Sequence, residues 1–138
     1  MKILYTAKAK TTGGRDGHTE TDDGTLKLDL SLPKSLGGPG KPGATNPEQL
    51  FAAGYSACFE SAIRHVARLK KIQIPALSVE AEVSLTPAET GFALLVSLHP
   101  LFEGVPQAQC EELVHTAHKV CPYSNAVKGN IDVKITIN

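Results

Sequence analysis

The chain has 138 residues, and its 14 Lys+Arg balance 14 Asp+Glu to a formal net charge of zero. That length fits one domain with a real core, and the neutral balance excludes the basic surface that nucleic acid or an anionic membrane requires. No apolar run approaches the roughly 18 residues of a membrane span, the opening MKILYTAKAK lacks the apolar stretch of a signal peptide, and 3 cysteines are too few for a disulfide framework. The reading is a cytoplasmic protein, in which a cysteine pair serves catalysis or metal binding rather than structure.

Residues 2–8 alternate, with Ile3, Tyr5 and Ala7 on one side, and predict a half-buried strand. A polar, glycine-rich segment follows over 11–24, ending in the hairpin-type turn Asp23-Gly24. Residues 25–32 alternate strictly, so that Leu26, Leu28, Leu30 and Leu32 share one face of a second strand. The next stretch, PKSLGGPGKPGAT, is read as a long irregular loop, because its prolines lack donors and its glycines loosen the backbone. A long helix is predicted from Asn46 to Lys71. Alternating runs at Val79–Leu85 and Phe92–Leu98 then predict two strands around a Pro-Gly-containing turn. Helical spacing returns over 106–120, with Cys110, Leu113, Val114, Ala117 and Cys121 on one stripe, and Ile131, Val133, Ile135 and Ile137 mark a closing strand. The order is β-β-β-α-β-β-α-β if a short third strand lies in the loop region, and one strand fewer otherwise. The fold class is α+β, with mainly antiparallel sheets packed around two main helices in a single domain, 1–138.

The long helix carries the chemistry. Asn46 is a good N-cap, Pro47 suits the first helical position, and Glu48 complements the positive end of the dipole. Leu50, Gly54, Cys58 and Ala62 recur at four-residue steps, which turns Cys58 inward. A free cysteine is often only a small buried apolar residue. Reactivity requires the thiolate, and burial alone raises the pKa, so a fixed cation must offset it. Of the three arginines, Arg64 lies about 120° around the helix from Cys58, and Arg68 about 15 Å along its axis. Arg15, on the glycine-rich turn GGRDG, is therefore the best candidate, with a turn charge beside Asp16 as the plainer explanation.

Glu48 would orient such an arginine. It precedes Cys58 by about 15 Å along one straight helix, too far to share a guanidinium with it. Two copies of the helix crossing antiparallel near Ala53 would bring position 48 of one beside position 58 of the other. Ala52, Ala53, Gly54 and Ala57 are small enough for that approach. The expectation is a homodimer whose sites draw on both chains. Simple helix-start electrostatics remains the plainer role for Glu48.

Cys121 ends the second main helix, where Pro122 breaks it. Cys110 and Cys121 are about 16 Å apart along that helix, beyond the roughly 7 Å of disulfide geometry, so Cys58–Cys121 is the more plausible bridge and Cys110 a core thiol. His115, His118 and Cys121 form a weak three-ligand possibility, outweighed by ordinary helix histidines. Gly40-Lys41 lacks the serine or threonine of a phosphate loop, and the glycine spacings are poor matches to RNA-clamping loops.

GGRDG, the run LGGPGKPGATNPEQLFAAGYSACF and the later CPYSNAVKGN together resemble the organic hydroperoxide resistance branch of the OsmC/Ohr family across essentially the whole chain. The resemblance implies an intertwined homodimer with two interface sites. It also implies a thiol peroxidase that reduces organic hydroperoxides to alcohols with no bound cofactor or metal, and with an external dithiol such as a lipoyl group as reductant. It casts Cys58 as the attacking thiol, Cys121 as the resolving thiol, Arg15 as the thiolate-stabilising cation and Glu48 as its orienting carboxylate. Leu36, Phe51 and Phe59 are expected to favour an alkyl tail. The alternatives are a peroxidase of the osmotically inducible branch, a disulfide reductase or redox sensor using the same cysteines, and a dimeric binding module with inert thiols.

Overall fold

The computed structural model describes all 138 residues, Met1–Asn138. The chain forms two compact units, Met1–Leu50 and Phe51–Asn138. The boundary falls in the helix α1, Pro47–Lys70.

The first unit is a three-stranded antiparallel sheet in the order β1 (Ala9–Thr12), β2 (His18–Thr21), β3 (Lys27–Asp29). A 3-10 turn, Gly14–Asp16, joins β1 to β2. The Asp23-Gly24 turn joins β2 to β3 as its sequence predicts. Asp23 Oδ1 accepts from Thr21 Oγ1 at 2.7 Å and from the Thr25 amide at 3.0 Å, and Gly24 takes a φ of 75°. After β3 the chain folds back through a 3-10 turn, Lys34–Leu36. Thr45 returns beside Leu30 in a parallel bridge, with its amide donating to the Asp29 carbonyl at 2.8 Å. Ser31 Oγ is buried and accepts from the Lys41 amide at 3.0 Å, pinning the loop from within.

Three expectations for this half are corrected. Residues 2–8 form no strand: regular pairing begins at Ala9, and Ile3 and Tyr5 are 77% and 82% exposed. Their alternation is real but finds no partner strand in the chain. The glycine-rich segment is more ordered than expected, because it holds β2 and the Arg15 turn. The second expected strand shrinks to Lys27–Asp29, since the amide of Leu26 is drawn into the turn by Thr21 Oγ1 at 3.0 Å and its side chain is exposed. Three strands do precede α1, although none lies in the proline-rich loop.

The second unit sets the rest of α1 and α2 (Gln107–Val120) against a sheet ordered β4 (Ala76–Pro87), β5 (Phe92–Glu103), β6 (Lys134–Ile135). β4 and β5 are antiparallel over their full length, and β6 runs parallel to β5. Tyr55, Phe59, Ile63 and Val66 of α1 meet Val96 and Leu98 of β5 and Leu113, Val114 and Ala117 of α2 in one core. Val79, Ala81 and Val83 pack against it from β4, as their alternation predicts. The closing strand is shorter than its pattern, but Thr136 and Asn138 extend its hydrogen bonding to Leu98 and Pro100 of β5. Lys71 ends α1 with a φ of 56°, and the Ile72 amide reaches back to the Ala67 carbonyl at 2.9 Å. This is a left-handed cap closed by an apolar residue. A short helix absent from the sequence reading, α3 (Pro122–Val127), follows directly on Cys121.

Candidate active site

The start of α1 is built as its sequence predicts. Asn46 Oδ1 accepts from the Gln49 amide at 2.8 Å, and Thr45 Oγ1 donates to Gln49 Oε1 at 2.8 Å. Glu48, thus fixed in the first turn, receives Arg15 in a two-pronged ion pair. Nη1 donates to Oε1 at 2.8 Å and Nη2 to Oε2 at 2.9 Å. The fork geometry matches guanidinium to carboxylate and is the strong form of this contact. The hydrogen bond and charge of Arg15 hold the Glu48 carboxyl below its ordinary range. Asp16 does not compete, because its Oδ1 accepts from the Leu32 amide at 3.0 Å. Arg15 thus pairs with Glu48 and not with its neighbour Asp16.

The glycines of the turn make this possible. Gly13 and Gly14 take φ of 79° and 59°, a region costly for other residues. A side chain on Gly17 would place Cβ 1.7 Å from the Thr12 carbonyl oxygen.

In the second unit the structure brings Cys58 and Cys121 together. Their sulfurs are 3.6 Å apart, with the Cys121 thiol directed at Cys58. Cys58 is half-buried in the middle of α1, and Cys121 is fully buried. Cys121 occupies the break between α2 and α3 in extended backbone, φ −64° and ψ 125°, and its amide closes α2 on Ala117 at 2.8 Å. Pro122 opens α3 immediately after it. Burial pushes the Cys58 thiol above its ordinary pKa. A hydrogen bond from the Tyr123 backbone pulls the other way, and the neighbouring Cys121 adds to the rise. Arg64 is held by Glu60 one helical turn back, and Arg68 is exposed. Cys110 lies apart in the core and donates to the Val105 carbonyl at 3.5 Å.

The two thiols share a core cluster with aromatic rings. Phe51, Tyr55 and Tyr123 pack with centroids 5.6–6.2 Å apart. Gly54 admits Tyr123, whose hydroxyl would stand 2.5 Å from a Cβ there. Of the expected pocket residues, Leu36 is exposed on its turn, Phe51 is half-buried, and Phe59 has no exposed surface and packs edge-on to Tyr55 and His118. The sequence reading missed Tyr55, Tyr123 and Ser124, and weighed His118 only as a weak metal ligand. The signal was their spacing of two or three residues from Cys58 or Cys121. The ligand atoms of His115, His118 and Cys121 are not grouped for a metal. The one grouped set, Glu80, Glu82 and His99, lies elsewhere.

A family model described as "OsmC-like protein" matches residues 38–136. The chain belongs to the OsmC-like family. Within that family it falls in the organic hydroperoxide resistance branch. It is 47% identical over 137 residues to the organic hydroperoxide resistance protein of Xanthomonas axonopodis pv. citri, covering 99% of this chain and 96% of that protein. It is 45% identical to organic hydroperoxide resistance protein OhrB of Bacillus subtilis, covering 97% and 98%. Among solved structures, an organic hydroperoxide resistance protein OsmC from Legionella pneumophila superposes with a TM-score of 0.95 at 59% identity, covering 99% of both chains. The α+β architecture expected from the sequence is thus the OsmC-like fold, and no helix in it is long and apolar enough to cross a membrane.

Proposed function

We propose that the chain is a thiol peroxidase that reduces organic hydroperoxides to alcohols. The observation that carries this reading is the 3.6 Å approach of Cys121 Sγ to Cys58 Sγ. The names of its OsmC-like relatives, which speak of organic hydroperoxide resistance, agree with it. The Cys58 thiolate attacks the terminal oxygen of the hydroperoxide. The O–O bond breaks, the alkoxide leaves and takes a proton as alcohol, and Cys58 becomes a sulfenic acid. Cys121 then displaces hydroxide from that sulfur, giving a disulfide and water. An external dithiol, in our proposal a lipoyl group, reduces the disulfide by exchange. Phe51 and Tyr123 favour an alkyl or aryl tail over hydrogen peroxide.

The active unit in this proposal is a homodimer. Helical spacing separates Glu48 from Cys58 by about 15 Å along α1, so the Arg15–Glu48 pair of one copy serves Cys58 of the other. Two observations support a second copy. Ala53, Ala57 and Ser61 form an exposed strip of small residues along α1. Ile3, Leu4 and Tyr5 are 77–88% exposed in a segment whose pattern is that of a strand without a neighbour.

The test is stoichiometric. Reduced protein is mixed with one equivalent of cumene hydroperoxide, and thiols and peroxide are followed. The wild type is expected to consume the peroxide with loss of two thiols per chain, and Cys58→Ser to consume none. Inert wild-type thiols would sink the reading. Slow reaction with peroxide beside rapid exchange with disulfides would replace it with a disulfide reductase.

A further inference from the structure

Three polar groups that the proposed chemistry does not use form a continuous chain inside the second unit. Tyr55 Oη lies 2.7 Å from Ser124 Oγ, and Ser124 Oγ lies 2.8 Å from His118 Nδ1. They come from α1, α3 and α2. Tyr55 is fully buried and Ser124 is 3% exposed. Buried hydrogen-bonded networks are demanding to satisfy, and apolar side chains would fill the same space.

The two ends of the chain differ. His118 and Ser124 line an open cavity of about 430 Å³ with Lys119, Asn125, Lys128 and Asp132. At the other end, the phenol of Tyr55 stands within electrostatic reach of both thiols, and negative charge on Cys121 or Cys58 disfavours its ionisation. Cys121 sits between His118 and Ser124 in sequence, three residues from each.

Resting on the thiol-peroxidase reading above, we propose that Tyr55, Ser124 and His118 are the proton path for closing the Cys58–Cys121 disulfide, with His118 as the terminal acceptor. Closing forms the S–S bond and breaks the S–O bond of the Cys58 sulfenic acid. The Cys121 proton passes to the Tyr55 oxygen, the phenol proton to Ser124, and the Ser124 proton to His118 Nδ1. The freed Cys121 thiolate attacks the sulfenic sulfur and hydroxide leaves. The imidazolium then releases its proton into the cavity, and the hydroxide is neutralised to water. The only oxidant is the hydroperoxide that made the sulfenic acid.

The polarity of the chain follows from His118. With Nδ1 unprotonated, Ser124 donates to the imidazole, Tyr55 donates to Ser124, and the phenol oxygen keeps a lone pair free to accept. Protonation of Nδ1 reverses all three. Burial, and then the nearby His115, lower the pKa of His118 from its ordinary 6.5. The groups facing it are His115 on its own helix, the Phe59 ring from α1, Ser124 from α3, and Lys119, Lys128 and Asp132 around the cavity. The lysines favour the neutral imidazole and Asp132 opposes them. His118 is therefore neutral at pH 7, and closing slows as pH falls through its lowered value. His118 acts through Ser124 and Tyr55, so it is a positioning residue.

The experiment is a rapid-quench single turnover with one equivalent of cumene hydroperoxide. Sulfenic acid is trapped with dimedone and disulfide is counted by mass, from pH 5 to pH 8. His118→Asn keeps a hydrogen-bonding atom near Nδ1 but cannot titrate. Sulfenic acid is expected to form at the wild-type rate and then close at least tenfold more slowly, with the slope of the wild-type closing profile below pH 7 removed. Tyr55→Phe, which keeps the ring, is expected to slow closing similarly. Closing at the wild-type rate and pH profile in either folded variant overturns the path while leaving the peroxidase reading intact. A wild type that forms no sulfenic acid overturns both.

Discussion

Arg15 and Glu48, thirty-three residues apart, meet through both guanidinium ends and both carboxylate oxygens, at 2.8 and 2.9 Å. The Arg15 side chain is 35% exposed and that of Glu48 15%, so solvent screening keeps the pair's share of stability to about 1 kcal/mol or less. In the proposed mechanism its value lies in aiming a cation. Glu48→Gln is expected to change stability little but to slow Cys58 oxidation by about tenfold, a difference in activation free energy of about 1.4 kcal/mol. The pH dependence has a definite sign. Arg15 lowers the Glu48 pKa from 4.5, so the stability difference between wild type and variant is fully present above that value and disappears as pH falls through the lowered one. Denaturant titrations at pH 7 and pH 3 check both parts.

Arg15→Ala removes the cation itself. Burial already raises the Cys58 pKa within one chain, so the variant is expected to titrate at least one unit above the wild type. Its thiolate population at neutral pH then falls roughly tenfold or more. Thiolate absorbance against pH measures this, and coincident curves would remove Arg15 from the site.

Cys121→Ser separates the two sulfurs chemically. The first equivalent of hydroperoxide is expected to react at close to the wild-type rate and leave a dimedone-reactive Cys58, while turnover with dihydrolipoamide stops. Unimpaired turnover would assign the recycling to Cys58 alone.

Gly17→Ala tests the turn behind Arg15. The new Cβ would sit 1.7 Å from the Thr12 carbonyl oxygen and 2.7 Å from Gly13 Cα. Both are backbone atoms, so the turn must shift, at a cost of about 1–3 kcal/mol. Oxidation of Cys58 is expected to fall towards that of Arg15→Ala, with α1 intact by circular dichroism.

Gly54→Ala has the opposite profile. Its Cβ meets the tip of Tyr123, 2.5 Å from the hydroxyl, and that ring can swing away. A helix-propensity gain of about 1 kcal/mol offsets the displacement. Thermal stability is expected to change by only a few degrees, while the preference for cumene hydroperoxide over hydrogen peroxide drops. An unchanged preference would exclude Tyr123 from substrate selection.

Much of this arrangement was legible in the chain. The N-cap at Asn46, the inward step of Cys58 and the isolation of Cys110 follow from helical geometry and match the observed contacts, and Arg15, preferred over Arg64 and Arg68 on the same geometry, is the arginine found on Glu48. The polar chain of Tyr55, Ser124 and His118 was not legible, because its members come from three helices and none is an unusual residue for its position. α3 was lost behind Pro122, which ends one helix and also fits the first position of the next. The parallel pairing of β6 with β5 was lost because alternation reports faces and says nothing of direction. The misplaced first strand is a different kind of miss. Periodicity reports which side chains seek cover, while a strand also requires a neighbour to bond with, and a single chain supplies none for residues 2–8.

The proposed pair would tie the protein's stability, through that uncovered segment, to its concentration. In the proposed pair, Ile3, Leu4 and Tyr5 leave water only when a second copy arrives. Their burial then counts towards folding by mass action, and the melting temperature rises with protein concentration. Each tenfold dilution removes about 1.4 kcal/mol from the free energy that holds the pair. If the proposed pair forms, the N-terminus makes protein concentration a determinant of how much of the chain is folded.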